Sequence, residues 1–185
     1  TWVKSLQDVG AHALNTYPGT WRKEGGSKTE GNIIDEEYKE GIYVGYRWAD
    51  RKKQRPVFAF GHGLSYTQFA ISNLRADKAS MTAADSITFT VQVKNIGQRA
   101  GSETVQLYVH DAKASVDRPL KELKGFCKVS LQPGESKDVS ITLGKDALSF
   151  YDETTASWKA EPGQFEAWVG NASDNLKLKK TFELK

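Results

Sequence analysis

Between Ser86 and Lys94 every second residue is apolar, with Ile87, Phe89, Val91 and Val93 on one side and Thr88, Thr90, Gln92 and Lys94 on the other. A repeat of two is the period of an extended strand with one face in a core and the other in water. The pattern then recurs at short intervals. Val105, Leu107 and Val109 alternate within Glu103 to His110, and Cys127, Val129 and Leu131 within about Lys124 to Leu131. Val139, Ile141 and Leu143 follow, then Phe165, Ala167 and Val169, and the chain closes on Leu176, Leu178, Phe182 and Leu184. Phe69, Ile71 and Leu74 open the series. Asn95-Ile96-Gly97, Ala100-Gly101, Pro133-Gly134 and Pro162-Gly163 separate the runs with turn chemistry. About seven short strands punctuated in this way predict an all-β, immunoglobulin-like sandwich over residues 67–185. Apolar spacing of 3.6 does not persist beyond a couple of turns, so a helical fold is excluded.

Residues 1–66 read differently. Val3, Leu6 and Val9 allow one short helical turn before Gly10, Pro18-Gly19 marks a turn, and Glu24 to Asn32 reads as a polar, glycine-rich loop. Gly41 to Trp48 alternates Ile42, Val44 and Tyr46 against Tyr43, Gly45 and Arg47, which predicts a strand, with Pro56 to Phe60 as a short partner. Ten of the chain's 20 aromatic residues fall in these 66 positions. Two strands cannot bury so many rings, since an isolated hairpin is marginal in water. The segment therefore reads as the tail of a larger unit that lies upstream, joined to the sandwich through Phe58-Ala59-Phe60-Gly61-His62-Gly63-Leu64-Ser65-Tyr66. His62 and Tyr66 are expected to be buried at that junction. The start at Thr1, without methionine, fits a processed product or a piece of a longer protein.

Reactive chemistry is scarce. Gly61-His62-Gly63 lacks the third glycine of a dinucleotide loop, because position 66 is Tyr66 and no long helix follows. Gly63-Leu64-Ser65 lacks the second glycine of a nucleophile elbow. His62 fits a turn-fixing role better than a general base, and the three histidines are too scattered for a metal site. Asp117, Arg118 and Glu122 form a charged loop, read as an ion pair that orders the chain, with a carboxylate clamp as the alternative. Trp48, Trp158 and Trp168 could stack on sugar rings, although packing is the commoner fate of tryptophan.

The balance of 26 basic and 23 acidic residues argues against a nucleic-acid partner. The basic run Arg51 to Arg55 reads as a solvated hairpin tip rather than an anion site. No apolar run approaches the roughly 18 residues that cross a bilayer. With Cys127 alone, no intrachain disulfide can form. No cofactor is expected. Asn171-Ala172-Ser173 matches the glycosylation sequon.

Taken together, Tyr38-Lys-Glu-Gly-Ile-Tyr-Val-Gly-Tyr-Arg47, the Phe58–Tyr66 run, Glu103-Thr-Val-Gln-Leu-Tyr-Val109 and Arg118-Pro-Leu-Lys-Glu-Leu-Lys-Gly-Phe126 resemble the C-terminal region of glycoside hydrolase family 3 enzymes. Leu131-Gln-Pro-Gly-Glu135 and Leu148-Ser-Phe-Tyr-Asp152 are similar to later landmarks of the same region. The resemblance implies a fibronectin type III-like domain at 67–185, with 1–66 as the last part of an α/β sandwich domain. It implies a parent β-glucosidase or β-xylosidase whose barrel and α/β sandwich are this chain's partners, with oligosaccharide as a further one, and a periplasmic or secreted location. It also implies retaining hydrolysis, with two carboxyl groups about 5–5.5 Å apart. The nucleophile and the acid/base glutamate would both lie upstream, so no catalytic residue carries over to this chain. Glu24, Glu30, Glu36 and Glu37 read as solvent-facing.

Overall fold

A computed structural model describes residues 1–13, 16–17, 19–21 and 34–185. The expected loop from Glu24 to Asn32 lies outside them. The chain divides into two compact units, Thr1–Phe60 and Gly61–Lys185, a division that falls inside the Phe58–Tyr66 run.

The first unit holds little regular structure. A 3-10 turn spans Leu6–Asp8, where Val3, Leu6 and Val9 allowed one. Strands β1 (Thr20–Trp21) and β2 (Ile34–Asp35) form a short antiparallel pair. The strand expected at Gly41 to Trp48 is absent: turns give way to helix α1 (Tyr46–Lys52). Gly41 and Gly45 are the reason, for they sit at φ 55° and 62°, outside the extended region, and break the ribbon twice. Arg51 and Lys52 close the helix, where cations favour its C-terminal dipole. Each also lies on an aromatic ring, Arg51 3.9 Å from the Tyr43 centroid and Lys52 4.8 Å from that of Trp48. The basic run is solvated as expected, but it closes a helix rather than tipping a hairpin, and two of its cations lie over rings. The strand expected at Pro56 to Phe60 shrinks to one bridge, Phe58 with Trp2.

The second unit is the sandwich. Its strands are β3 (Phe69–Ala76), β4 (Ser80–Met81), β5 (Ser86–Asn95), β6 (Gly101–Asp111), β7 (Glu122–Leu131), β8 (Ser136–Gly144), β9 (Phe150–Asp152), β10 (Ser157–Lys159), β11 (Gly163–Gly170) and β12 (Leu178–Leu184). One sheet runs β4-β12-β11-β6-β7 and the other β3-β5-β8, with β9 and β10 paired as a separate hairpin. The inward residues of the alternating runs make one core, in which Ile87, Val93, Val105, Leu107, Leu148 and Ala167 are fully buried. The change of spacing from Ile71 to Leu74 is a β-bulge. Asn73 takes φ 56°, the extra residue is absorbed, and Leu74 and Ala76 return to the core face.

One polar side chain is wholly enclosed. Asn95, at the end of β5, donates through Nδ2 to the carbonyls of Arg99 (2.7 Å) and Leu131 (3.1 Å). Its Oδ1 accepts from the Thr67 hydroxyl (2.7 Å) and the Gly97 amide (3.1 Å). Both donors and both acceptor positions are thereby satisfied. Replacing Asn95 with Ala strands these partners in the interior and should cost on the order of 3 kcal/mol. Thermal unfolding is expected to drop by roughly 10 °C; a change within a degree or two would show that the amide is dispensable.

Candidate functional site

The junction loop is held at its two ends. Gly61 has φ 86°, and a Cβ there would run into the Gln106 side-chain amide and the Asn171 carbonyl. Gln106 is itself fixed, accepting from the Tyr108 hydroxyl (2.6 Å) and donating to Asn171 O (3.0 Å). At the other end Thr67 is buried and bonded to Asn95. Between these anchors the chain stands outward. His62 is exposed, and Leu64 and Tyr66 are 96% and 92% accessible, so the expected burial of His62 and Tyr66 does not occur. The grip comes from backbone at Gly61 and from a hydroxyl at Thr67, not from the rings. Gly63, unlike Gly61, meets nothing within 4 Å of a notional Cβ. Phe58 and Phe60, in the first unit, are partly exposed, and Phe60 lies 5.8 Å from the Tyr46 ring.

Arg118 lies at the opposite end of β6 and is nearly enclosed. It donates to Asp111 Oδ2 (3.2 Å), Glu122 Oε2 (2.7 Å) and the Leu148 carbonyl (2.9 Å), and all three charged side chains are 7–13% exposed. Asp117 is exposed in the same loop. Sequence reasoning missed Asp111 because it closes a strand seven residues away, and only the β6–β7 register brings it to Glu122. A carboxylate clamp for a ligand is not what this geometry offers, since Arg118 is already engaged by two carboxylates and a carbonyl.

The tryptophans have different fates. Trp48 lines a cavity of about 380 Å³ in the first unit, together with Tyr43, Val44, Val3 and Glu40. Glu40 Oε2 is out of contact with solvent and meets no hydrogen-bond donor. Trp168 is covered by Lys179, 3.7 Å from a ring centroid, and donates its N–H to Glu166 (2.7 Å). Trp158, on the β9–β10 hairpin, is 68% exposed and meets Tyr151 edge-on at 5.7 Å. Nearby, the Ser115 hydroxyl bonds Glu161 (2.7 Å) and holds its carboxyl below the usual carboxylate range. The sequon is engaged: Asn171 Nδ2 donates to Glu103 (3.1 Å), Oδ1 accepts from Asn175 (2.7 Å), and Ala172 and Ser173 are buried. No group of three or more potential metal ligands gathers among the described residues.

Comparison with known proteins places these features. Residues 103–173 match the fibronectin type III-like domain family. Over 180 residues the chain is 47% identical to β-glucosidase BoGH3A of Bacteroides ovatus, covering 96% of this chain and 22% of that protein. The chain matches the C-terminal region of glycoside hydrolase family 3 β-glucosidases. Thermostable β-glucosidase B of Acetivibrio thermocellus is 50% identical over 145 residues, 78% of this chain and 19% of that one. The crystal structure of a Bifidobacterium adolescentis family 3 β-glucosidase superposes over the full chain with a TM-score of 0.84 at 33% identity, using 25% of its own length. The chain thus spans a fifth to a quarter of the length of these relatives and carries a fibronectin type III-like domain.

Two sets of substitutions test the geometry. Gly61→Ala forces a Cβ into Gln106 at a positive φ and should destabilise the sandwich by about 1–3 kcal/mol, whereas Gly63→Ala should be close to neutral; equal effects would deny Gly61 its special place. Arg118→Leu strips both carboxylates of the guanidinium, leaving Glu122 with Lys124 at 3.5 Å and Asp111 with the Lys113 amide at 3.1 Å, and should cost on the order of 3 kcal/mol, while replacing Arg118, Asp111 and Glu122 together with apolar residues should recover most of it. Both are read by denaturant unfolding, and a single Leu variant as stable as the parent chain would refute the ion triad.

Proposed function

We propose that the chain is the non-catalytic, C-terminal scaffolding region of a retaining β-glycosidase, a β-glucosidase before a β-xylosidase, in which residues 1–66 are the tail of an α/β sandwich domain and the fibronectin type III-like domain at 67–185 braces the parent enzyme. The observation that carries this reading is the character of the first unit. Its described residues form one short helix, one 3-10 turn and two two-residue strands, line a cavity of about 380 Å³ and include a carboxylate oxygen sealed off with no donor among them. A complete domain packs to near-crystalline density and satisfies its buried polar atoms. This segment has the surface of a piece whose packing partner is the polypeptide that its relatives carry outside the matched fifth of their length.

Exposed apolar residues of the second unit support the same reading. Leu64, Tyr66, Phe126 and Ile96 are 55–96% accessible, more apolar exposure than a free-standing surface requires. The carboxylates that the fold gathers at Arg118 are committed to structure, which suits a bracing domain better than a hydrolytic one. The barrel and the rest of the α/β sandwich are then the partners. The chemistry would be theirs, two carboxyls about 5–5.5 Å apart on either side of the glycosidic bond.

The test uses the chain with the separately produced remainder of a relative such as the Bacteroides ovatus enzyme. The chain alone is expected to give no turnover of an aryl β-glucoside, and mixing should raise the thermal midpoint of the remainder and its activity. Turnover by the chain alone, or failure of the two pieces to associate, would sink the proposal.

A further inference from the structure

The β9–β10 hairpin is unexplained by a bracing role. It belongs to neither main sheet, and it carries two large aromatic side chains out into solvent. Trp158 and Tyr151 are direct cross-strand partners, so they share one face of the ribbon, and their edge-to-face contact at 5.7 Å fixes one ring by the other. Trp158 nevertheless keeps 68% of its surface accessible and Tyr151 51%. Among the described residues no cation covers either ring, in contrast to Trp168 beneath Lys179.

The mounting is rigid. At the tip, Asp152 accepts from the Thr154 amide (3.0 Å) and hydroxyl (2.6 Å). At the base, Arg118 grips the carbonyl of Leu148, a fully buried residue, and lies 5.8 Å from the Phe150 ring. The ion triad therefore serves as the foundation of the hairpin, and the two rings need little ordering when something binds them.

We propose that Trp158 and Tyr151 form a sugar-binding platform that takes a glucosyl unit of a β-linked gluco-oligosaccharide. A pyranose has an apolar face of C–H groups and a rim of hydroxyls. The platform offers the complement, an open indole and phenol next to the exposed turn residues Glu153 and Thr155. A protein partner fits less well. Two rings supply at most a few hundred Å², against roughly 800 Å² per partner in a stable protein interface, and the residues around them are polar. That the sugar is a β-glucan rather than another glycan rests on the family 3 reading above.

Cellotetraose, with maltotetraose as the α-linked control, is titrated into the chain while the Trp158 indole N–H is followed by NMR. A saturable shift with cellotetraose is expected. Trp158→Ala should weaken binding at least about tenfold and Trp158→Phe by less, each with an unchanged thermal midpoint because the ring is outside the core. Absence of a saturable shift, or equal binding by the Ala variant, overturns the platform. So does an Ala variant that loses association with the remainder of the relative, since the ring would then be a protein contact. If sugar binding fails while that association persists, the platform alone falls; if both fail, the family role falls with it.

Discussion

A single buried amide holds one end of the sandwich together. Asn95 ends a strand of the three-stranded sheet, its Nδ2 reaches Leu131 in the five-stranded sheet, and its Oδ1 receives Thr67 from the junction. Three segments far apart in sequence thus meet on four hydrogen-bonding positions, every one filled. Burying an amide is unfavourable unless all of its bonds are made. The arrangement is therefore selective: a slip of register in β5 or β7, or a shift of Thr67, leaves an orphan. Apolar contacts between the sheets would tolerate such slips more readily, because they lack direction.

The other end of β6 is closed by a different polar device. Asp111, Arg118 and Glu122 tie the loop before β7 to the strand and to Leu148. A buried ion triad is weak evidence for net stability, since desolvation offsets most of the Coulombic gain. Its effect is on geometry. With a saturated amide at one end and a paired guanidinium at the other, the main core cluster between them is apolar.

The sandwich was largely legible in the sequence, since strands with one face in a core must alternate, and β5, β6, β8 and β11 do. Legibility failed where that contrast was missing. The β9–β10 hairpin shows its rings to water, so Tyr151 and Trp158 carry no inward-outward signal. Gly41 to Trp48 alternated by composition, yet two glycines in the left-handed region turned it into turns and a helix. Asn95 read as a turn residue beside Ile96-Gly97, whereas its backbone is the last position of β5 and its side chain is buried. Of the charged loop, Arg118 and Glu122 were visible as neighbours four apart, whereas Asp111 needed the strand register. The junction was recognisable as a motif, and its glycines differ in a way no motif reveals: Gly61 is enforced by Gln106 and Gly63 is not.

The two polar clamps also separate the exposed aromatic surfaces. Tyr66 and Leu64 leave the sandwich beside Thr67, at the Asn95 end, and lead by chain connectivity toward the first unit. Trp158 and Tyr151 leave it just after Leu148, at the Arg118 end. A domain whose sole task was to brace its neighbours would need one such surface. Exposed rings are costly in water and prone to unwanted association, so a second pair, locked edge-to-face on a hairpin outside both sheets, calls for a separate explanation. Placing it at the far end of β6 lets it engage a ligand without disturbing the Asn95 network that fixes the junction, which is the physical reason to assign the two ends different roles.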